Sequence, residues 1–293
     1  MRDVCVVTGG AGGMGLAAAK LLGRDHSIVL CDVSRDGLDA AAKELEASGV
    51  ECKTSVVDIT DDQSVAELVS QAMGFGVVRS VVHAAGVSPS MGSAEFIVRI
   101  NALGTLNVNE AFYPTVEDGF AIVNVASVAA HMFPRVMVPR RHFKHAQRDA
   151  DVFMKKMTSA CNIAPAAMRP GFAYSISKNF VTWYCSSQAA RFGRRGGRIV
   201  SVSPGTIDTA MGRLEERTGS GALAERSALR RIGEPREVAE LLAFCASDRA
   251  SYLTGIDIVC DGGVLAALTP RAKLATARQA LATLFGPTRS GNR

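Results

Sequence analysis

Short runs of Val, Ile and Leu alternate with amphipathic stretches along most of this 293-residue chain. The runs are continuous rather than interrupted by polar residues, which is typical of parallel strands covered by helices on both faces. This alternation predicts an α/β fold, a doubly wound parallel sheet of about seven strands. The predicted strands are residues 4–8, 27–31, 52–57, 77–82, 121–126, 198–202 and 256–260. The predicted helices include residues 15–23, 37–48, 62–73, 174–192 and 235–246.

The length suits one large domain or two small ones, and no repeat or low-complexity linker interrupts the pattern. No apolar run approaches the ~20 residues of a membrane span. The first strand begins so early that we expect no signal peptide. The seven Cys show no CxxC spacing, which favours reduced thiols over a metal site. We therefore expect a cytoplasmic protein with no bound metal.

The net charge of +5 is unevenly distributed. Residues 131–170 carry eight Lys or Arg against two Asp, and the chain beyond residue 262 carries five Lys or Arg and no acid, so the remainder is net acidic. Neither basic region has a nucleic-acid recognition motif, so we expect no such partner. We assign residues 1–263 to one domain and 264–293 to a basic tail, with an amphipathic helix predicted at 272–285.

A glycine-rich turn follows the first predicted strand and precedes a helix rich in Ala and Leu. Its residues are Thr8, Gly9, Gly10, Ala11, Gly12, Gly13, Met14 and Gly15. Glycines let the backbone turn tightly and approach a pyrophosphate, whose charge then lies at the helix N-terminus. The position between a strand and a helix favours a nucleotide site over a purely structural turn.

The second predicted strand is followed by Asp32, seventeen residues beyond Gly15. A carboxylate there can accept both hydroxyls of an adenosine ribose and would repel a 2′-phosphate, which favours NAD over NADP. Arg35 lies near enough to leave NADP open. Asp32 could instead cap the next helix, although Ser34 can fill that role.

Tyr174 and Lys178 lie four residues apart in a predicted helix, so their side chains share one face. An ammonium beside a phenol stabilises the phenolate and lowers the phenol pKa. Such a phenol can exchange a proton with an alcohol or a ketone. The pair alone is weak evidence, and its meaning depends on the motifs around it.

The chain carries several further motifs in a fixed order. They are Thr8-Gly9-x-x-x-Gly13-x-Gly15, Asp58, Ala85-Gly86, Asn101, Ser127, Tyr174-x-x-x-Lys178, Pro204-Gly205 and Asp261-Gly262-Gly263. With these, residues 3–263 resemble the short-chain dehydrogenase/reductase family, which has a Rossmann-type fold. Any one motif could be accidental, whereas the ordered set is highly specific.

The resemblance implies a role for each catalytic residue. Tyr174 would be the general acid/base, and Lys178 would lower its pKa and hydrogen-bond the nicotinamide ribose. Ser127 would hold and polarise the substrate carbonyl, and Asn101 would order a water that links Lys178 to solvent. Outside this resemblance, Ser127 could merely cap a strand end and Asn101 could be a surface residue.

The resemblance also implies which residues bind the cofactor, NAD. Asp58 and Ile59 would meet the adenine, and Ile207 and Thr209 would face the carboxamide. The full implied set is Thr8, Gly9, Gly13, Met14, Gly15, Asp32, Asp58, Ile59, Ala85, Gly86, Tyr174, Lys178, Pro204, Gly205, Ile207 and Thr209.

The chain departs from the family pattern at two places. Where the family usually has Asn-Asn-Ala-Gly, this chain has His83 followed by Ala84-Ala85-Gly86. This histidine either substitutes as a hydrogen-bond donor, alters the adenosine pocket or serves the structure alone. Ser127 and Tyr174 are 47 positions apart, much farther than is usual in the family. Residues 131–170 are therefore expected to be mostly an insertion between two catalytic residues.

An insertion beside the active site can cover it. One hypothesis is that residues 131–170 form a lid whose Met132, Phe133, Met137 and Met154 line an apolar substrate pocket. Its basic residues would then meet an anionic part of the substrate. The equal alternative is that these residues dock on the acidic body or on another subunit. Because the helix with Tyr174 often packs in a subunit interface of this family, we expect a homo-oligomer, a tetramer or a dimer.

The expected function is that of an NAD(H)-dependent oxidoreductase that interconverts a secondary alcohol and a ketone. Steroid-like alcohols, other hydrophobic alcohols and 3-hydroxyacyl thioesters all remain open as substrates. The alternatives are an NADPH-dependent ketone reductase and a catalytically idle nucleotide sensor with the same fold. The presence of Ser127, Tyr174 and Lys178 argues against the sensor.

Overall fold

The structure, a computed structural model, describes residues 3–216, 224–225 and 227–268. Within them seven strands form one sheet: β1 (Asp3–Thr8), β2 (Ser27–Asp32), β3 (Cys52–Val56), β4 (Val77–His83), β5 (Ala121–Val125), β6 (Arg198–Pro204) and β7 (Asp257–Cys260). Their spatial order is β3-β2-β1-β4-β5-β6-β7, and every neighbouring pair is parallel. The predicted doubly wound α/β sheet is confirmed, and each strand begins and ends within two residues of its predicted bounds.

Helices cover both faces of the sheet. They are α1 (Gly13–Leu22), α2 (Arg35–Ala47), α3 (Asp62–Phe75), α4 (Ala94–Val98), α5 (Thr105–Phe112), α6 (Ala150–Cys161), α7 (Arg169–Gly193), α8 (Ala210–Glu216), α9 (Pro235–Ala246) and α10 (Val264–Ala267). A six-residue π-helical turn, Arg99–Gly104, joins α4 to α5. Side chains of Ser34 and Asp61 cap α2 and α3, so the capping role weighed for Asp32 belongs to Ser34.

The sheet separates two apolar cores, which explains the continuous Val and Ile runs. In β1, Val4 and Val6 lie in one core while Cys5 and Val7 lie in the other, and all four are fully buried. A strand buried on both faces has no position at which a polar side chain could reach water.

The strand order reverses between β1 and β4, and this places the candidate site. From β1 the chain proceeds outward to β2 and β3, then returns to β4 on the other side and continues to β5. The loops that follow Thr8 and His83 therefore lead away in opposite directions, which opens a crevice at the carboxyl edge of the sheet.

Residues 131–170 form a compact series of short helical turns. Three 3₁₀ turns, Val128–His131, Arg135–Met137 and Arg140–His145, lead to α6, and a fourth, Ala166–Met168, leads to α7. Asp149 caps α6 by accepting the backbone N–H of Val152 at 2.9 Å. This segment thus contains one α-helix among its described residues, α6, in its second half.

Aromatic side chains bind this segment to α7. Phe143 and Phe153 are fully buried, and their ring centroids lie 5.4 and 5.0 Å from that of Phe180. Met157 is also fully buried in the same core. Burial of side chains of this size stabilises a segment by roughly 1.5–3 kcal/mol each.

A polar cluster adds a second attachment. One carboxylate oxygen of Glu110 in α5 accepts hydrogen bonds from Tyr184 at 2.7 Å, Arg191 at 2.7 Å and Gln147 at 2.9 Å. Tyr184 and Arg191 belong to α7, whereas Gln147 belongs to the 131–170 segment. The segment is therefore joined to α5 by a charge-assisted hydrogen bond and to α7 by apolar packing.

This packing bears on the lid hypothesis. Met154 is only 7% exposed and belongs to the core, so it does not line an open pocket. Met132, Phe133 and Met137 precede the anchored part and are half-buried. The basic side chains Lys144, Arg148, Lys155 and Lys156 are exposed.

Three expectations concern a membrane span, a metal site and the far end of the chain. Among the described residues, no helix is both long and apolar enough to cross a membrane. Over the same residues, no three His, Cys, Asp or Glu side chains are grouped to hold a metal ion. The helix predicted at 272–285 lies outside the described residues.

Candidate active site

The turn between β1 and α1 requires glycine at three positions. Gly9 and Gly13 have φ values of +66° and +56°, which disfavour other residues. A Cβ at Gly9 would lie 2.6 Å from the backbone nitrogen of Ala85, and one at Gly15 would lie 2.2 Å from the carbonyl oxygen of Gly9. The turn therefore packs directly against the end of β4 and against itself.

The N-terminus of α1 is open to a ligand. Gly12 is its N-cap residue, and within the described chain no side chain caps the first turn and no acidic residue lies in it. A Cβ at Gly12 would meet no atom within 4 Å. Backbone N–H groups without helical partners and the positive end of the helix dipole attract phosphate. The turn thus fits the pyrophosphate of a nicotinamide dinucleotide.

Asp32 lies at the carboxyl end of β2, next to this turn. Its two carboxylate oxygens accept the backbone N–H groups of Ala11 and Ser34, each at 3.2 Å. The first bond holds the carboxylate against the glycine-rich turn. This is the position expected of a residue that faces the adenosine ribose.

Asp58 and Ile59 follow β3 and differ in the exposure of their side chains. Asp58 accepts the backbone N–H and the hydroxyl of Thr60, both at 2.8 Å, and stays exposed. The side chain of Ile59 is only 5% exposed and packs against Gly104, where a Cβ would lie 2.6 Å from its Cδ1. The Ile59 side chain therefore belongs to the core, and only its backbone could face an adenine.

The loop after β4 is fastened to the helix that carries Asn101. The Asn101 side chain accepts the backbone N–H of Val87 at 2.8 Å and donates to the Val87 carbonyl at 3.0 Å. A Cβ at Gly86 would lie 3.0 Å from Asn101 Oδ1 and 3.3 Å from Lys178 Nζ. A side chain there would crowd both groups, so Asn101 and Lys178 converge beside this loop.

Lys178 connects the helix of Tyr174 to the strand that leads to Ser127. Its ammonium lies 6.0 Å from the centroid of the Tyr174 ring and donates to the Val125 carbonyl at 2.9 Å. Val125 is the last residue of β5, two positions before Ser127. Lys178 is only 6% exposed, whereas Tyr174 is half-buried. The cation is thus held inside the site while the phenol can reach the crevice.

Asn101 lies in the π-helical turn, where the backbone hydrogen bonds differ from those of an α-helix. The Asn101 carbonyl accepts the Thr105 hydroxyl at 2.8 Å. Single π turns inside helices are common at functional sites because they expose backbone groups that an α-helix would pair.

His83 joins the nucleotide turn to this helix. Its Nδ1 lies 2.8 Å from the Thr8 hydroxyl, and its Nε2 lies 3.1 Å from the Thr105 hydroxyl. Because the Thr105 proton is used on the Asn101 carbonyl, Thr105 accepts from Nε2–H, and Nδ1 accepts the Thr8 proton. The Thr8 oxygen in turn accepts the backbone N–H of Ala85 at 3.2 Å.

Burial, together with the nearby charge of Lys178, lowers the pKa of His83 to about 3. The imidazole is therefore neutral at physiological pH, in agreement with its single ring proton in the hydrogen-bond network. Of the roles weighed for His83, this supports a hydrogen-bonding residue that connects two parts of the site.

The loop after β6 returns to the glycine-rich turn. Thr209 Cγ2 would lie 3.2 Å from a Cβ at Gly13, so these two residues are neighbours. Gly205 packs against Asp261, where a Cβ would lie 2.8 Å from the Asp261 Cα. Ile207 is 7% exposed and forms a bridge with Gly233. Of the predicted residues of this loop, the structure thus brings Thr209 beside the glycine-rich turn.

Sequence reasoning missed Thr105 and Asn179. Thr105 lies four residues after Asn101 and therefore on the same helical face, which could have indicated contact. Asn179 is only 4% exposed and donates to the Ala130 carbonyl at 2.7 Å. Its position directly after Lys178 was the available signal.

Comparison with known proteins agrees with this site. Residues 3–140 match the family described as short chain dehydrogenase, and residues 141–265 match the family described as enoyl-(acyl carrier protein) reductase. The short-chain dehydrogenase/reductase bsc3 of Alternaria brassicicola is 30% identical over 275 residues, covering 92% of this chain and 98% of that protein. The cis-4-hydroxycyclohexanecarboxylate dehydrogenase of Sinomonas cyclohexanicum is 31% identical over 265 residues, covering 90% and 96%.

A solved actinorhodin polyketide ketoreductase with NADPH has the same fold, with a TM-score of 0.71 at 21% identity, covering 90% of this chain and 97% of its own. The two curated relatives are matched over nearly their whole lengths, so the likeness is not confined to the nucleotide-binding half. The protein belongs to the short-chain dehydrogenase/reductase family, whose members bind a nicotinamide cofactor and act on alcohol or ketone groups of small molecules.

Proposed function

We propose that the protein is an NAD(H)-dependent oxidoreductase that interconverts a secondary alcohol and a ketone. The observation that carries the proposal is the position of Lys178, which is buried 6.0 Å from the Tyr174 ring centre and bonded to Val125 beside Ser127. This arrangement lies at the same edge of the sheet as the open N-terminus of α1.

Each catalytic side chain has a task that its surroundings support. A bound nicotinamide would supply or accept the hydride. Tyr174 passes a proton to the substrate oxygen in reduction and takes it back in oxidation. The positive charge of Lys178 stabilises the phenolate of Tyr174. Ser127 donates its hydroxyl to the substrate oxygen, and Asn101 holds the adjoining loop and a water that reaches Lys178.

We propose NAD rather than NADP as the cofactor. Asp32 stands at the end of β2 with its carboxylate fixed by Ala11. Two ribose hydroxyls can donate to such a carboxylate, whereas a 2′-phosphate would be repelled by its charge. Arg35 is exposed at the start of α2 and does not pair with Asp32 in the described contacts.

We propose a hydrophobic substrate. Phe133 and Phe172 form an edge-to-face pair with centroids 5.2 Å apart, and Phe172 lies two residues before Tyr174. Both rings are half-buried. A relative acts on a ring-bearing hydroxy acid, as its name states. Steroid-like alcohols, other hydrophobic alcohols and 3-hydroxyacyl thioesters are the classes to examine.

We also propose that the protein is a cytoplasmic homo-oligomer, a tetramer or a dimer. The seven cysteines are free thiols, which agrees with a reducing compartment. Strand β7 lies at the edge of the sheet with Val259 40% exposed, and Tyr252 just before it is fully exposed. A monomer at micromolar concentration by light scattering would contradict the oligomer.

The proposed function is tested by following NADH formation over a panel of steroids, aliphatic alcohols and 3-hydroxyacyl thioesters. We expect turnover with at least one class, and tighter binding of NADH than of NADPH in a fluorescence titration. No turnover on the entire panel, with NADH still bound, would support the nucleotide-sensing alternative instead.

A further inference from the structure

We infer that Asn179 is a positioning residue that holds Ser127 in place for the reaction, and that Arg140 of the 131–170 segment orients Asn179. The inference rests on the proposed function, because it concerns the geometry of Ser127. It assigns the 131–170 segment a part in catalysis that does not require it to cover the substrate.

Two consecutive residues of α7 bond to the backbone on either side of Ser127. Lys178 donates to the Val125 carbonyl at 2.9 Å, two residues before Ser127. Asn179 donates through Nδ2 to the Ala130 carbonyl at 2.7 Å, three residues after it. Both side chains are nearly fully buried, so water does not compete for either carbonyl.

The turn that carries Ser127 is otherwise attached to the sheet, where His131 Nε2 lies 2.7 Å from Asp257 Oδ2. Ser127 has an extended backbone and begins the four-residue 3₁₀ turn Val128–His131. Its hydroxyl accepts the N–H of Ala129 at 3.2 Å, and its carbonyl accepts the N–H of Ala130 at 2.9 Å. These bonds shape the turn internally. They do not set its position relative to α7, whereas the bond from Asn179 does.

Arg140 determines which way the Asn179 amide faces. Its Nε donates to Asn179 Oδ1 at 3.0 Å. A guanidinium has only donors, so it accepts no bond from the amide nitrogen and selects the orientation with Oδ1 toward Arg140. The amide nitrogen then faces Ala130. The reversed amide would place two oxygens against each other.

Arg140 is itself held in place by the packing of its turn. It begins the 3₁₀ turn Arg140–His145, in which Phe143 is fully buried. The Phe143 ring centroid lies 5.4 Å from those of both Phe180 and Trp183 in α7. A continuous set of contacts thus runs from the segment through Arg140 and Asn179 to the Ser127 turn.

The two bonds from α7 matter in a chain in which Ser127 and Tyr174 are far apart in sequence. Because they are 47 positions apart, their nearness in sequence does not fix their relative position. Reaction rates depend steeply on such geometry, since a misplacement of about 1 Å can cost roughly 100-fold in rate. The bonds from Lys178 and Asn179 help to set that relative position.

The test uses Asn179→Asp, which keeps the side-chain shape and the contact with Arg140 but turns the donor to Ala130 into an acceptor. We expect kcat for the best alcohol of the panel to fall about 10- to 100-fold, with the NADH dissociation constant changed less than about twofold. Asn179→Ala should give a similar loss. Melting temperatures identify any variant that is simply unfolded.

A double-mutant cycle with Ser127→Ala separates positioning from general structural damage. If Asn179 acts through Ser127, Asn179→Asp should reduce kcat less than about threefold further in the Ser127→Ala background. Equal fold-losses in the two backgrounds would overturn the inference. A Ser127→Ala variant as active as the wild type would instead contradict the role of Ser127 in the proposed function.

The contribution of Arg140 has a matched control. Arg140→Ala should lower kcat about 3- to 10-fold, whereas Arg141→Ala, which alters an exposed neighbour, should leave it unchanged. A loss of the same size in both variants would show that the Arg140 bond to Asn179 has no special part.

A measurement independent of turnover completes the test. Hydrogen–deuterium exchange of the peptide that covers residues 127–131 should be at least about 10-fold faster in Asn179→Asp than in the wild type, because the turn loses its attachment to α7. Arg141→Ala should leave the exchange unchanged. Unchanged exchange in Asn179→Asp would refute the inference even for a protein inactive on every alcohol tested.

Discussion

His83 binds the hydroxyl of Thr8 through Nδ1 at 2.8 Å, and so joins strand β4 to the strand that begins the nucleotide turn. Its other nitrogen reaches Thr105, which lies one helical turn after Asn101. One neutral imidazole therefore connects the two halves of the candidate site, where the family usually has an asparagine.

The buried state of His83 predicts a pH-dependent stability. Burial lowers its pKa in the folded protein to about 3, below the value of about 6.5 expected when unfolded. Between these values the unfolded chain binds the extra proton, so stability is complete above about pH 6.5 and falls as the pH decreases. The slope from this residue approaches about 1.4 kcal/mol per pH unit.

Urea unfolding of the wild type and of His83→Asn from pH 4 to 8 measures this slope. The asparagine keeps one donor and one acceptor but does not titrate, so the difference between the two free energies of unfolding should shrink or reverse toward low pH. Parallel pH profiles would show that His83 is not the residue responsible.

Tyr174→Phe removes the proposed acid/base while keeping the ring. We expect kcat to fall by a factor of about 100 to 10,000, the usual contribution of general acid–base catalysis. The dissociation constant for NADH should stay within about threefold of the wild type. Steady-state kinetics and a fluorescence titration measure the two quantities.

Tyr252→Phe is the matched control, because Tyr252 is fully exposed and is not among the residues proposed for catalysis or cofactor binding. It should leave both quantities unchanged. Retention of more than about a tenth of the wild-type kcat in Tyr174→Phe would mean that another group transfers the proton.

The sheet could be predicted from the sequence because burial on both faces leaves a local signal. A run such as Val4 to Val7 cannot be accommodated as a half-exposed strand or an amphipathic helix. Strand β6 extends two residues past its predicted end, since Ser203 bonds to Asp257 of the neighbouring strand. That partner is 54 positions away, and no local pattern indicates it.

The site was predictable wherever a residue type suits one backbone conformation or one chemical task. Gly9 and Gly13 lie in a tight turn with positive φ, which glycine adopts without strain, and the ordered motifs located Ser127 and Tyr174. The burial of the Ile59 side chain could not be predicted, because its environment is set by Gly104, which comes from the π-helical turn before α5. The bonds of His83 and Asn179 were missed for the same reason.

Substitution of Asp32 should change the preference of the enzyme between NADH and NADPH. Asp32→Asn removes the charge but keeps one oxygen for the backbone N–H of Ala11. Because the repulsion of a 2′-phosphate disappears, the ratio of kcat/KM for NADPH to that for NADH should rise about 10-fold or more. Kinetics with both cofactors at constant ionic strength measure the ratio.

Asp36→Asn provides the control, since Asp36 is an exposed carboxylate in the first turn of α2. It changes the net charge equally but should leave the ratio within about twofold of the wild type. A wild type that already prefers NADPH, or an equal effect of the two substitutions, would contradict the part assigned to Asp32.

Phe153 in α6 predicts how firmly the 131–170 segment is held. Its ring is fully buried, 5.0 Å from that of Phe180. Phe153→Ala should lower the free energy of unfolding by about 3–5 kcal/mol, the usual cost of such a cavity. A lid that opened and closed independently of the core would lose its own contacts with little effect on global unfolding.

Val136→Ala, at a position 91% exposed, is the control and should change stability by less than about 0.5 kcal/mol. Urea unfolding measured by tryptophan fluorescence suits this comparison because Trp183 lies 5.8 Å from Phe180. If Phe153→Ala changes the free energy of unfolding no more than the control does, the segment is not part of the core. That result would support the lid hypothesis.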